Sequence, residues 1–187
     1  MRSFGFNAIG AWSSDDVFTK GMPYTIILNI ATAAGSEWLS GKLADFFSSK
    51  FESAAYELAE RLCLPRKDDP YLLGYFTDNE LRWSPDWRSP DHLIVDYLNL
   101  PPEAEGKRAL VEYLRGRYRE IGALNVAWNT SFSSFDDALS LNGPPKGNVL
   151  ESDALGFLEI ISRRYFMVCH DAIRKYDPNH LILGCRY

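Results

Sequence analysis

A chain of 187 residues can bury a sizeable core and corresponds to one domain or to part of one. Its composition, 46% hydrophobic and 24% charged, is that of an ordinary globular protein with no low-complexity tract or internal repeat. The net charge of −5, without any cluster of Lys or Arg, argues against a nucleic-acid partner, and no apolar run is long enough to span a membrane.

The first predicted element is a strand over Phe4–Ala11. It follows Met1-Arg2 directly, so no charged end with an apolar h-region marks a secretory signal, and the sequence assigns no compartment. A second short apolar run, Tyr24–Ile30, reads as a buried strand. Ser49-Lys50-Phe51-Glu52 is a capping-box pattern and opens a helix to about Cys63, with Phe51, Ala54, Ala55, Leu58, Ala59 and Leu62 on one face. Pro65 and the Asp68-Asp69-Pro70 turn stop that helix before a third strand, Leu72–Thr77.

The interval 84–151 is too long for one crossover and reads as an insertion within a single domain, 1–187. It holds a Pro-rich loop from Ser84 to Pro90, an apolar patch Leu93–Leu100 and a helix from about Pro102 to Ile121. An aromatic segment, Asn125–Phe135, and a Gly/Pro turn at Asn142–Gly147 complete it. Ser152 or Asp153 is expected to cap a long helix with Leu155, Leu158, Ile161, Tyr165, Phe166, Cys169 and Ile173 on its apolar face. Asp177-Pro178-Asn179 turns the chain out into a fourth strand, Leu181–Cys185. Strands that are nearly continuous apolar runs and alternate with helices indicate a parallel α/β sheet with both faces covered.

Two residue types bear on chemistry without forming a centre. Cys63, Cys169 and Cys185 are far apart and sit in apolar contexts, which fits buried thiols better than a disulfide or zinc framework. His92, His170 and His180 have no ligand spacing, so no metal and no cofactor are expected, and there is no Gly-rich phosphate loop or nucleophile elbow.

The informative stretch is Leu72–Trp83, where an apolar, aromatic run stops on Asp78, Asn79 and Glu80. A carboxylate just past the C-terminal end of a parallel strand stands where α/β folds keep their active sites. Partly desolvated in a cleft, Glu80 could act as a general acid near neutral pH, with Asn79 donating to a substrate hydroxyl and Trp83 beside it. The competing reading is local: Asp78 caps a following helix and Glu80 interacts with its dipole.

Gly74-Tyr75-Phe76-Thr77-Asp78-Asn79-Glu80-Leu81-Arg82-Trp83 resembles the fourth-strand segment of clan A glycoside hydrolases, most of all the β-agarase type of family 50 and its β-galactosidase-like relatives. Three further segments resemble that family in the same order: Gly5–Ser13, Asn125–Thr130 (with Asn129 where the family has Gly) and Asp177–Tyr187. The resemblance implies a partial (β/α)8 TIM barrel of about four parallel strands, covering roughly strands two to five of a fold that takes roughly 250 residues. It implies Glu80 as general acid/base of a retaining enzyme acting on β-linked galactose-containing carbohydrate, with Asn79 contacting the hydroxyl next to the reacting carbon. It further implies Asp78, Asn7, Trp12, Trp83, Trp128 and Arg186 as substrate-binding residues. Trp12 also fits packing at a barrel end, Trp128 a core position and Arg186 an ion pair with Asp78.

The second carboxylate that a retaining mechanism needs would lie near the end of a seventh strand, beyond Tyr187, so the remainder of the barrel is the expected partner and this segment alone is expected to be inactive. Asp15, Asp16, Glu37 and Asp136 have no motif that would make them substitutes. The alternative is a catalytically silent carbohydrate-binding or interaction module on a degenerate barrel. Unclosed strand edges lead to the expectation that the chain on its own associates or is marginally stable.

Overall fold

The computed structural model describes residues 2–145 and 151–187; the C-terminal part of the Asn142–Gly147 turn lies outside them. In chain order the elements are helix α1 (Asp15–Phe18), strand β1 (Tyr24–Ile27), helices α2 (Ile30–Ala34) and α3 (Ser49–Leu62), strand β2 (Leu72–Asn79), helices α4 (Leu93–Leu98), α5 (Glu105–Tyr118), α6 (Ile121–Trp128) and α7 (Glu151–Tyr176), and strand β3 (Leu181–Arg186). They fall into two compact units. One comprises residues up to Ser36, Lys50–Leu81 and Phe166–Tyr187; the other comprises Glu37–Ser49 and Arg82–Tyr165.

The first unit is built on a parallel sheet in the order β1-β2-β3. β2 is central, and Leu72, Gly74, Tyr75, Thr77 and Asp78 along it are all buried. α3 buries Phe51, Ala55, Leu58 and Ala59, within the face that its 3.6-residue periodicity specifies. Gly74 pairs with Leu181, and a Cβ there would collide with the Leu181 carbonyl oxygen, so only glycine allows β2 and β3 to approach at that point. The β2–β3 register shifts between Tyr75 and Phe76 and again before Asn79, and Gly184 (φ +78°) supplies the left-handed backbone that such a bulge needs. These shifts bring Asn79 opposite Arg186.

The strand expected over Phe4–Ala11 does not form. Arg2–Phe4 is a 3-10 turn, Gly5 takes φ +82°, and Phe4 and Phe6 are exposed. Only Ile9 is buried, joined to β1 by a single parallel bridge to Tyr24. Periodicity alone overestimates this strand, because left-handed Gly5 bends the chain out of line before a ladder can start.

At the base of β2, the turn from α7 into β3 is held by a buried polar network. The Asp177 carboxylate accepts from the Tyr75 hydroxyl at 2.5 Å, from the backbone N–H of Asn179 at 2.8 Å and of His180 at 3.1 Å, and stands 2.6 Å from His180 Nδ1. Burial pushes the Asp177 carboxyl up, but these hydrogen bonds outweigh it and hold it below the ordinary carboxylate range. Nearby Cys63 is buried, and burial followed by the Asp177 charge pushes its thiol up to about 12, as expected of an unreactive core cysteine. Cys169 is likewise buried and Cys185 half-buried, and none of the three is in a disulfide.

The second unit is helical, and its core includes Leu110, Leu114, Leu124, Tyr97, Phe157 and Trp128. The helix expected from about Pro102 to Ile121 is α5, Glu105–Tyr118; at Arg119 the backbone turns to φ 61°, and a further helix, α6, follows over Ile121–Trp128. Ser152 and Asp153 lie inside α7 instead of capping it. The side chain of Asp153 is buried and accepts from Trp128 Nε1 at 2.8 Å and from the Tyr118 hydroxyl at 2.6 Å, while also pairing with Arg117. This demand for buried donors explains an Asp at that position better than a cap does. On α7 the buried face runs through Ala154, Phe157, Ile161, Tyr165, Val168, Ala172 and Ile173, leaving Leu155 and Phe166 exposed. No described helix is long and apolar enough to cross a membrane.

Candidate active site

The C-terminal end of β2 brings Asp78, Asn79 and Glu80 together with Arg186 of β3, all within the first unit. Alternation along the strand directs Asp78 and Asn79 to opposite sides of the sheet. Asp78 is 1% exposed, and both its carboxylate oxygens accept from the backbone N–H of Ala31, at 3.0 and 2.9 Å. Ala31 lies in the first turn of α2, whose preceding residue Asn29 is left-handed (φ 57°) and caps with no side-chain hydrogen bond. Asp78 therefore supplies the anionic cap that α2 lacks locally.

Asn79 faces the other way. Its side-chain oxygen accepts from an Arg186 guanidinium N–H at 2.7 Å. With that oxygen engaged, the amide NH2 is the end left to donate. Arg186 thus pairs with Asn79 and not with Asp78.

At Glu80 the ladder ends in a strained conformation. Its φ of 47° puts a non-glycine residue in the left-handed region, at a cost of about 1–2 kcal/mol. Two contacts hold it there. The Glu80 N–H donates to the Arg186 carbonyl at 2.8 Å, and the Tyr187 hydroxyl donates to the carbonyl of Leu81 at 3.0 Å. The last residue of β3 and Tyr187 after it therefore hold the backbone at Glu80 and Leu81, and Glu80 stands half-buried at the end of β2. Tyr187 is a contributor that residue patterns do not reveal, since a Tyr beside a strand end is no different in sequence from one that packs.

Asn7 and Trp12 are exposed, and Trp12 lines a cleft with Ser13, Ile27, Leu62 and Arg66. Trp83 and Trp128 belong to the second unit. The Trp83 ring is half-buried, with centroids 6.1 Å from Phe46 and 5.3 Å from Tyr165. Trp128 is 0% exposed, with its indole N–H on Asp153, and so offers no ring face to a sugar. Among the described residues, no group of three or more His, Cys, Asp or Glu side chains is arranged to hold a metal ion.

No protein-family model matches the chain. Its whole length is similar to β-agarase B of Vibrio sp. (strain JT0107), at 26% identity over 201 residues. A β-galactosidase of Haloferax lucentense is 26% identical over 149 residues, which is 79% of this chain and 20% of that protein. The solved structure of an exo-β-agarase superposes with a TM-score of 0.82 and 27% identity, over 98% of this chain and 26% of its own. The chain is a relative of the β-agarases and β-galactosidases. It spans 21% of the length of the Vibrio enzyme, about a fifth. The β-agarase-like architecture is a partial TIM barrel, with three parallel strands and an isolated fourth bridge where about four strands were expected.

Proposed function

We propose that this β-agarase-like chain is the acid/base-bearing segment of a retaining glycoside hydrolase that acts on β-linked galactose-containing poly- or oligosaccharide. The observation that carries the reading is the end of β2, where Glu80 is held in a strained backbone conformation beside an Asn79 whose amide is oriented by Arg186. In the first step Glu80 protonates the glycosidic oxygen as the bond to the anomeric carbon breaks, while a second carboxylate attacks that carbon from the opposite face. In the second step the ionised Glu80 takes a proton from the water that releases the sugar. Asn79 donates through its amide to the hydroxyl adjacent to the anomeric carbon, a contact that strengthens as charge develops in the transition state. The nucleophile belongs to a part of the barrel outside this chain, so both steps require the complete protein.

The test is Glu80→Gln in the complete enzyme. Turnover should fall by about 10²–10⁴-fold on a substrate with a poor leaving group. With an activated aryl leaving group, glycosylation no longer needs the acid, and added azide should restore turnover by releasing the glycosyl-enzyme as a glycosyl azide. Turnover like that of the wild type would overturn the assignment.

A further inference from the structure

The second unit carries a surface feature that the β2 cluster does not explain. Trp38 and Trp87 are 47% and 74% exposed, and their rings meet at 5.8 Å with planes 66° apart. The Arg88 guanidinium lies against both rings, 5.9 Å from the Trp38 centroid and 5.7 Å from that of Trp87. Two exposed indoles in a fixed mutual geometry are unfavourable in water, and single scattered apolar residues do not account for them.

The support beneath the rings is built in detail. Arg88 donates to Asp86 Oδ2 through Nε at 2.9 Å and through Nη2 at 2.7 Å, and to the Trp38 carbonyl through Nη1 at 3.3 Å. This ties the 86–89 turn, closed by Asp86 N–H to Ser89 O at 2.9 Å, to the 37–42 turn, closed by Glu37 N–H to Lys42 O at 2.9 Å. Gly41 (φ +69°) allows the second turn to lie on Arg88, where an added Cβ would come within 3.0 Å of the Arg88 Cβ. Buried Arg82 then fixes Gly41 by donating to its carbonyl at 3.1 Å. A cluster that served only to hide its own apolar surface would not need its rings propped outward on this frame.

We infer that the Trp38–Arg88–Trp87 cluster is a saccharide-binding platform for a neutral galactan chain, an inference that rests on the glycosidase reading above. Sugar rings present an apolar face of C–H bonds that stacks on indole, and a rigid indole loses little conformational entropy on binding. The angle between the ring planes gives consecutive residues of a twisting chain one face each. Neutrality follows from the electrostatics: the guanidinium is matched by the Asp86 carboxylate and a carbonyl, so the patch has little net attraction for sulfate or carboxylate groups. The frame is preorganised, which favours binding at low ordering cost.

The experiment uses the complete enzyme carrying Glu80→Gln as a non-hydrolysing binder. Binding of an agarose-derived oligosaccharide is measured by titration calorimetry, with a sulfated galactan oligosaccharide of similar length as comparison. Adding Trp38→Ala and Trp87→Ala should weaken binding of the neutral chain by about tenfold or more, a factor equivalent to about 1.4 kcal/mol. Adding Trp38→Phe and Trp87→Phe instead should keep it within about threefold, separating a lost aromatic face from a disturbed fold. Unchanged affinity in the double Ala variant, or tighter binding of the sulfated chain, would overturn the platform. Loss of affinity in that variant when Glu80→Gln leaves turnover intact would support the platform while defeating the acid/base assignment.

Discussion

Asn79 has a side chain that can serve a substrate only in one of two orientations, and the orientation is decided by a neighbour. With Oδ1 held by Arg186 at 2.7 Å, the amide NH2 is the end left to donate. Replacing Arg186 by Met removes a charge-assisted hydrogen bond worth about 1.5–3 kcal/mol and lets the amide rotate. The expected result is a kcat lower by about 10–100-fold on a 2-hydroxyl sugar with little change in KM, because the proposed contact is one that strengthens in the transition state. A 2-deoxy substrate, which has nothing for Asn79 to contact, should lose little; equal losses on both would refute the positioning role. The residue patterns disclosed that Asp78, Asn79 and Glu80 end a strand, but not how their work is divided. Asp78 caps α2, whose Ala31 lies 47 residues earlier, and no local spacing carries a partnership made through the fold.

At the scale of elements, β2 and α3 were legible because burial on both faces or on one stripe leaves a strong apolar pattern, and β3 was legible from its apolar run although none of its residues is fully buried. The segment Phe4–Ala11 misled because it is equally apolar yet has only one residue bonded to the sheet. The face of α7 drifted for a related reason: exposed Leu155 and Phe166 look like core residues in a list of hydrophobics. Least legible was the network that fixes the α7–β3 turn, since Tyr75 and Asp177 are 102 residues apart. It nonetheless makes a pH prediction. The folded-state carboxyl of Asp177 sits below its ordinary value, so its contribution is complete above the unfolded-state value of about 4 and is lost as pH falls through the lower, folded one. Asp177→Asn should cost about 2 kcal/mol at pH 6, read from urea unfolding. The gap between variant and wild type should narrow only below about pH 4. A gap that stays constant down to pH 2 would show that Asp177 contributes nothing through its charge.

For the molecule as a whole, the decisive quantity is how many strand edges remain open. Among the described residues, in the order β1-β2-β3, only β2 has a neighbouring strand on each side. The outer edge of β1 receives a single bridge from Ile9, and β3 leaves Leu181 60% and Leu183 37% exposed. A closed barrel abolishes such edges, whereas an open parallel sheet offers unpaired N–H and C=O groups to any other chain. The matched solved structure is about four times longer, since this chain covers 26% of it. The 187-residue chain expressed alone should therefore self-associate, with a sedimentation coefficient that rises with concentration across the micromolar range. Lysine substitutions at Leu181 and Leu183 should reduce that association by placing like charges along the exposed edge. A concentration-independent monomer that unfolds cooperatively would mean that the segment closes its own edges and is a domain in its own right, and the proposed acid/base carboxylate would then belong to a self-sufficient unit.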